Sequence, residues 1–216
     1  MNDTPQTLTN LYDAAQLDPR PLHDPDAAHL VVDGNRVVTR GLVAGLTADV
    51  QERDDGVRLV VKLAAGVRIA RPVHLCFGMS EERGSQHIDL DVHLERGAAA
   101  EFAAHCAFPY AREVEHRMQA TVRVDEGAEY RYRERHVHGP GGGVIVVPRT
   151  QLTLEAGARV HTDFEVLRGR VGELDIDLEA TCGPESVLEM DARVDARADD
   201  RIRIREVAHL TGEGAR

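Results

Sequence analysis

Val92-His93-Leu94-Glu95-Arg96-Gly97-Ala98, Val122-Arg123-Val124-Asp125-Glu126-Gly127-Ala128 and Leu152-Thr153-Leu154-Glu155-Ala156-Gly157-Ala158 are three versions of one pattern, an alternating apolar/polar run that ends at a glycine. Gly66 and Gly183 close related runs, so five glycines recur at intervals of 31, 30, 30 and 26 residues. Repeats of this length mean stacked structural units. A unit of two strands cannot bury its apolar face alone, so neighbouring units must stack. The chain therefore reads as an all-β protein, a β-solenoid, before any chemistry is considered.

Counting from each glycine separates the two faces of every strand. Offsets −5 and −3 hold Val61/Leu63, Val92/Leu94, Val122/Val124, Leu152/Leu154 and Leu178/Ala180. Past the glycine, offsets +3 and +5 hold Ala100/Phe102, Tyr130/Tyr132, Val160/Thr162 and Ser186/Leu188, with mostly charged residues between them, such as Arg131, Arg133 and Arg135. Period-2 alternation is the half-buried strand signature, so odd offsets point inward and even offsets outward. The glycine marks the bend between two strands of one coil. Repetition in register fits a parallel β-helix, and the default hand of parallel crossovers makes it right-handed. Five or six coils at the inter-strand spacing stack to about 25–30 Å.

The N-terminal residues differ. Thr4 to Leu17, with Leu8, Leu11 and Leu17 apolar, form a short helical candidate, followed by a Pro/Asp/His stretch to Ala28. Residues 1–28 are read as an N-terminal helix and linker, a short appendage to a β-helix core over 29–216. The core opens with short strands around Leu30-Val31-Val32 and Val37-Val38 and turns at Asp33-Gly34 and Asp54-Asp55-Gly56.

Composition narrows the functional classes. Only 4% of the 216 residues are aromatic and there is no Trp, so the core is built from Val, Leu, Ile and Ala. A formal charge of −11 repels phosphate backbones and argues against nucleic acid as a partner. No apolar stretch approaches the roughly 20 residues that cross a bilayer, so no membrane insertion is expected. Met1 to Leu17 lacks the basic and apolar regions of a secretion signal. Three widely spaced cysteines form no disulfide framework, and the expected location is the cytoplasm.

The offsets also pick out the chemistry. Cys106 stands at +9 from Gly97 and His136 at +9 from Gly127, both inward and on adjacent coils. Their Cα atoms are expected roughly 5 Å apart. Glu134 and His138, at +7 and +11, share that parity. A thiol, a carboxylate and two imidazoles inside an apolar tube are costly to desolvate unless paired. Imidazolium neighbours lower a thiol pKa, so a thiolate is expected at Cys106. Such a set suits zinc, Fe–S or sulfur chemistry. Cys76, on the outward parity, and Cys182, in the turn before Gly183, are assigned no role. His136-Val137-His138 also has the look of a cupin metal pair, but Gly139-Pro140-Gly141-Gly142-Gly143 stands where the further Glu should follow. That glycine run lacks the Lys-Ser/Thr of a P-loop and reads as a turn between coils.

Pro72-Val73-His74-Leu75-Cys76-Phe77-Gly78, His105-Cys106-Ala107-Phe108-Pro109, Tyr132-Arg133-Glu134-Arg135-His136-Val137-His138-Gly139 and Leu167-Arg168-Gly169-Arg170-Val171-Gly172 resemble the SufB/SufD proteins of prokaryotic Fe–S cluster assembly. The resemblance runs from about Asp55 to the C-terminus. It implies a right-handed parallel β-helix, as the glycine count does. It further implies a scaffold that works with a SufC-type ABC ATPase and pairs with a SufB/SufD-like subunit as a homo- or heterodimer. In the family a cysteine inside the β-helix, followed three residues later by Pro, is associated with receiving sulfur, and Cys106 with Pro109 matches that pattern. His136 and His138 then fall where the family lines its sulfur path. The family continues past the point where this chain stops, into a segment associated with nascent cluster binding and SufC docking. Here strand alternation at Ile202 and Ile204 still runs close to Arg216, so the core is expected to be truncated at its C-terminal end.

The expectation is thus a non-enzymatic scaffold component of SUF-type assembly, with any ATPase activity in a partner. Cys106, Glu134, His136 and His138 are its candidate sulfur-handling or cluster-related residues, and a transient iron–sulfur cluster is its cargo. The alternatives are a polysaccharide-active or cupin-like metal β-protein and a purely structural solenoid.

Overall fold

The computed structural model describes Thr9 and residues 11–14 and 16–216. Its strands in chain order are β1 (His29–Asp33), β2 (Arg36–Gly41), β3 (Leu46–Glu52), β4 (Gly56–Leu63), β5 (Val73–Gly78), β6 (Arg83–Leu94) and β7 (Ala99–Phe108). They continue as β8 (Glu113–Val124), β9 (Glu129–His138), β10 (Val144–Leu154), β11 (Arg159–Arg168), β12 (Gly172–Cys182), β13 (Val187–Val194) and β14 (Arg201–Leu210). They form two seven-stranded sheets, ordered β13-β11-β9-β7-β5-β1-β2 and β14-β12-β10-β8-β6-β4-β3. From β4 onward successive strands alternate between the sheets, so each of these coils gives one strand to each. Among the described residues, pairing is parallel along the stack and antiparallel only at β1/β2 and β3/β4. This is the expected β-solenoid. Each sheet ends in open edges, which is not the closed barrel of a cupin.

The turns explain the glycines. Gly97, Gly127 and Gly157 have φ of 66°, 65° and 65°, a left-handed conformation that glycine adopts without a Cβ penalty. A Cβ added at any of them would meet nothing within 4 Å, so the requirement is one of backbone and not of space. Gly183 is different. The left-handed residue of that turn is Glu185, with φ of 55°, and the pairings Leu154↔Cys182 and Arg159↔Val187 step by 28 residues. The sequence count from Gly183 is therefore two residues out of register in that coil. Two residues make one full side-chain period, so inward and outward faces are unchanged.

Between the sheets lies one continuous apolar core, from Leu30 and Val32 through Leu59, Phe77, Ile88, Leu94, Phe102 and Val124 to Leu174 and Cys182. Outward positions carry ion-pair ladders between coils, such as Arg58–Asp91 at 3.2 Å and Arg123–Glu155 at 3.3 Å. Exposed pairs of this kind contribute about 0–1 kcal/mol each and mainly keep the flanks solvated.

Of the expected N-terminal helix, residues 11–14 are helical; Leu8 and the start at Thr4 lie outside the described residues. A short 3₁₀ turn follows at Arg20–His23. Leu11 and Tyr12 are buried against Val31, Cys76, Ala107 and Val137 on the outer face of β1, β5, β7 and β9. The approach is close: a Cβ at Gly78 would lie 2.7 Å from Leu11 Cδ2. The segment is docked onto the solenoid, where it covers outward-pointing apolar residues that water would otherwise meet.

Candidate functional site

β7 and β9 pair in parallel with Ala104↔Glu134, Cys106↔His136 and Phe108↔His138. The four residues selected from the sequence are thus neighbours, on the interior face, and all are buried. Glu134 is the hub. Its Oε1 accepts from His136 Nε2 at 2.7 Å and from the Cys106 thiol at 3.5 Å, while Oε2 accepts from the Tyr132 hydroxyl at 3.0 Å. His138 Nε2 lies 3.3 Å from His136 Nδ1. His138 Nδ1 is buried without a hydrogen-bond partner.

The opposite sheet adds two residues that the sequence reading missed. His116 on β8 and Gln86 on β6 pair across adjacent coils and are buried at 1% and 0% exposure. Gln86 Nε2 donates to the carbonyl oxygens of Gly78, at 3.0 Å, and Gly34. Its Oε1 must then accept, and it does so from His116 Nδ1 at 3.0 Å. Nδ1 therefore carries the ring proton, and His116 Nε2 turns its lone pair toward Cys106 Sγ, 3.8 Å away. The signal was available: Gln86 and His116 both stand at −11 from their glycines, the same inward parity carried further back. Phe108 packs on His116 and Phe164 on His136, with ring centroids 5.0 and 4.9 Å apart.

The electrostatics correct one expectation. Burial pushes the Cys106 thiol well above its ordinary value, and the Glu134 charge pushes it further. Burial drives His116 down to about 3 and His138 well below its usual range, with neighbouring His136 adding to both. The resting site holds a protonated thiol beside neutral His116 and His138, and no thiolate stabilised by imidazolium. Glu134 is also driven up by burial, but the hydrogen bonds and proximity of His136, His116 and Tyr132 outweigh this and hold it below its ordinary value.

Cys106, Glu134 and His136 bring three ligating atoms within 4.8 Å of one another. One thiolate is fewer than the four that usually hold a resident Fe–S cluster. An internal cavity of about 60 Å³ runs from Glu134 past Tyr132, Phe164 and Thr150 toward Glu206 and exposed Asp191. Space of that size holds a few water-sized species. The other cysteines stay outside the cluster. Cys76 points to the outer face of the sheet, under Tyr12, and Cys182 closes β12 in the apolar core.

Fold and site together define a two-sheet parallel β-solenoid with a buried thiol–carboxylate–imidazole cluster between its sheets. The chain is similar to two curated proteins named as iron–sulfur cluster assembly SufBD family proteins. One, from Pyrococcus horikoshii, is 29% identical over 211 residues, covering 98% of this chain and 64% of the relative. The other, from Methanocaldococcus jannaschii, is 28% identical over 187 residues, covering 87% of this chain and 59% of the relative. The chain spans less than two thirds of the length of these relatives. Similarity extends over nearly the whole chain, so it takes in residues upstream of Asp55, where the motif resemblance began. No family model matches the chain.

Proposed function

We propose that the protein is a scaffold component of iron–sulfur cluster assembly in which Cys106 accepts and passes on sulfur. The observation that carries this reading is the placement of the thiol: buried, with a carboxylate oxygen at 3.5 Å and an unprotonated imidazole nitrogen at 3.8 Å. The names of the two relatives support the assembly role.

In the transfer step Cys106 Sγ attacks the outer sulfur of a donor persulfide, R–S–SH. The donor S–S bond breaks, a new S–S bond forms on Cys106, and the thiol proton passes through His116 Nε2 to the departing RS⁻. The sum is Cys106–SH + R–S–SH → Cys106–S–SH + R–SH, with no net oxidation. Enclosure keeps the persulfide from other thiols, and a cavity extends toward the far coils from Glu134, whose carboxylate stands 3.5 Å from the Cys106 sulfur. The chain turns over no substrate of its own in this reading. ATP hydrolysis belongs to a SufC-type ABC ATPase, and a second SufB/SufD-like subunit completes the scaffold.

The test is anaerobic incubation with a low-molecular-weight persulfide, followed by peptide mass spectrometry and co-purification with a SufC-type ATPase. One extra sulfur is expected on the Cys106 peptide, absent in Cys106→Ser and retained in Cys76→Ser. Loading that is unchanged in Cys106→Ser would end the sulfur-acceptor reading, and failure to retain the ATPase would end the partnership.

A further inference from the structure

We propose that Cys106, Glu134, His136 and His116 form a four-coordinate site for a single thiophilic divalent ion of the ferrous and zinc class. The proposal stands on the geometry of these side chains and does not require sulfur transfer.

The first support is spacing. A tetrahedral ion with bonds of about 2.3 Å to sulfur and about 2.0–2.1 Å to nitrogen or oxygen separates its ligand atoms by about 3.6 Å for sulfur pairs and about 3.3 Å for the rest. Cys106 Sγ stands 3.8 Å from His116 Nε2 and 3.5 Å from Glu134 Oε1. A third pair among the six, His136 Nε2 to Glu134 Oε1, is 2.7 Å because a proton occupies it. An ion that replaces that proton opens this pair by about 0.6 Å, and His116, which lies outside the set of ligand atoms within 4.8 Å of one another, closes on the ion from the sulfur side by a shift of its ring.

The second is the outer support. A metal-binding histidine is usually anchored through its other ring nitrogen, which fixes its tautomer and aim. His116 is anchored by Gln86 Oε1 at 3.0 Å, itself fixed through Nε2 by two backbone carbonyls, and this leaves Nε2 free to ligate. His136 is supported at Nδ1 by His138, 3.3 Å away.

The third is charge. A thiolate, a carboxylate and two neutral imidazoles sum to −2, which a divalent ion cancels. A neutral assembly is the form of such a cluster that costs least to bury. Ligation takes the sulfur as thiolate, so binding releases the thiol proton. One sulfur with two imidazoles and an oxygen selects zinc or ferrous iron over magnesium or calcium. The cavity that reaches Glu134 from Glu206 and Asp191 offers an entry path lined at its outer end by carboxylates.

The experiment is anaerobic titration of the reduced full chain with Co²⁺ as spectroscopic probe, followed by displacement with Fe²⁺ and Zn²⁺. One equivalent should give a thiolate-to-cobalt charge-transfer band and the intense visible bands of tetrahedral cobalt. Cys106→Ser should lose the charge-transfer band, Cys76→Ser should keep it, and Gln86→Ala should weaken binding by about tenfold or more. A weak octahedral spectrum in the wild type, or an unchanged band in Cys106→Ser, would overturn the site. If Cys106→Ser does not fold, X-ray absorption of the wild-type Zn²⁺ complex decides: one sulfur with nitrogen and oxygen neighbours supports the site, and a shell without sulfur overturns it. Persulfide loading is measured without metal, so it can fail or succeed separately from this result.

Discussion

Cys76 and Cys106 sit on adjacent strands of one sheet, a single lattice step apart, since β5 and β7 pair Cys76↔His105 and Phe77↔Cys106. They point to opposite faces, and both are buried and free. Burial pushes both thiols upward, Cys76 to about 12 and Cys106 well above its ordinary value. They differ in company. Cys76 lies among Leu11, Val31, Ala107 and Val137, with the Tyr12 hydroxyl as its side-chain hydrogen-bond partner. Cys106 faces a carboxylate and an imidazole lone pair. Burial makes a thiol quiet on either face, and only proton acceptors within reach give it chemistry.

The strongest way to break the contrast is to remove the hub on one face and a thiol on the other. Glu134→Ala leaves the buried His136 donor and the partly buried Tyr132 donor without their acceptor. Removing one partner of a buried charged network costs about 3–5 kcal/mol. Cys76→Ala removes one sulfur from an apolar layer and should cost about 1 kcal/mol. Urea unfolding of the two variants measures both, and equal losses would mean that the interior cluster is no more demanding than the outer layer.

Acid sharpens the contrast next. His116 is held at about 3 by burial, with His136 adding to the shift, against about 6.5 when unfolded. Above pH 6.5 both states are neutral there and stability is unaffected. Below it the unfolded chain takes up a proton that the native site refuses, so stability falls as pH drops toward 3. Between pH 6.5 and 4 this one group accounts for about 3 kcal/mol. His138 moves in the same direction. Unfolding free energies at pH 7 and pH 4 should therefore differ by several kcal/mol, and His116→Gln should recover about 3 kcal/mol of that difference. A His116→Gln variant as acid-sensitive as the wild type would show that the ring is already charged in the native state.

These two tests also mark where the sequence stops being informative. The pairing of Cys106 with His136 was legible because Gly97 and Gly127 bracket a coil of constant length and strands have a period of two. The fifth glycine misled by two residues because Glu185, a residue that normally avoids positive φ, makes that turn. His116 and Gln86 come from the facing sheet. Parity marks them as inward, but their distance across the core depends on the cross-section of the coil, which no spacing encodes. The protonation of Cys106 was inverted for a related reason: residue types reveal that imidazoles are near, and only the packing reveals that burial discharges His116 and His138.

A smaller effect tests the anchor of the interior cluster. Gln86→Leu keeps the approximate size of the side chain but takes the amide donor from the Gly34 carbonyl and the acceptor from His116 Nδ1, while the Gly78 carbonyl keeps the Gly34 N–H at 2.8 Å. Unsatisfied buried groups cost about 1–3 kcal/mol each before relaxation, so a net loss of about 2 kcal/mol is expected. The imidazole of His116 should also lose its preferred tautomer, visible as a changed nitrogen-15 shift of the ring. A destabilised variant with an unchanged tautomer would mean that Gln86 supports the fold without aiming the histidine.

The smallest expected effect is on the outer face. Tyr12 is buried, and its hydroxyl bonds to Cys76. Tyr12→Phe removes that bond while the ring still fills its place over Val31 and Cys76. One neutral hydrogen bond is worth about 0.5–1.5 kcal/mol, and a bond to sulfur belongs at the low end. The loss should therefore be near 0.5 kcal/mol, with sulfur loading at Cys106 unchanged. Faster alkylation of Cys76 would follow if the hydroxyl held the N-terminal segment down, since local opening of that segment is the route by which a reagent reaches the thiol. If instead Tyr12→Phe altered loading at Cys106, the two faces of the sheet would be coupled through β5 and β7, and the two cysteines could not be treated as independent.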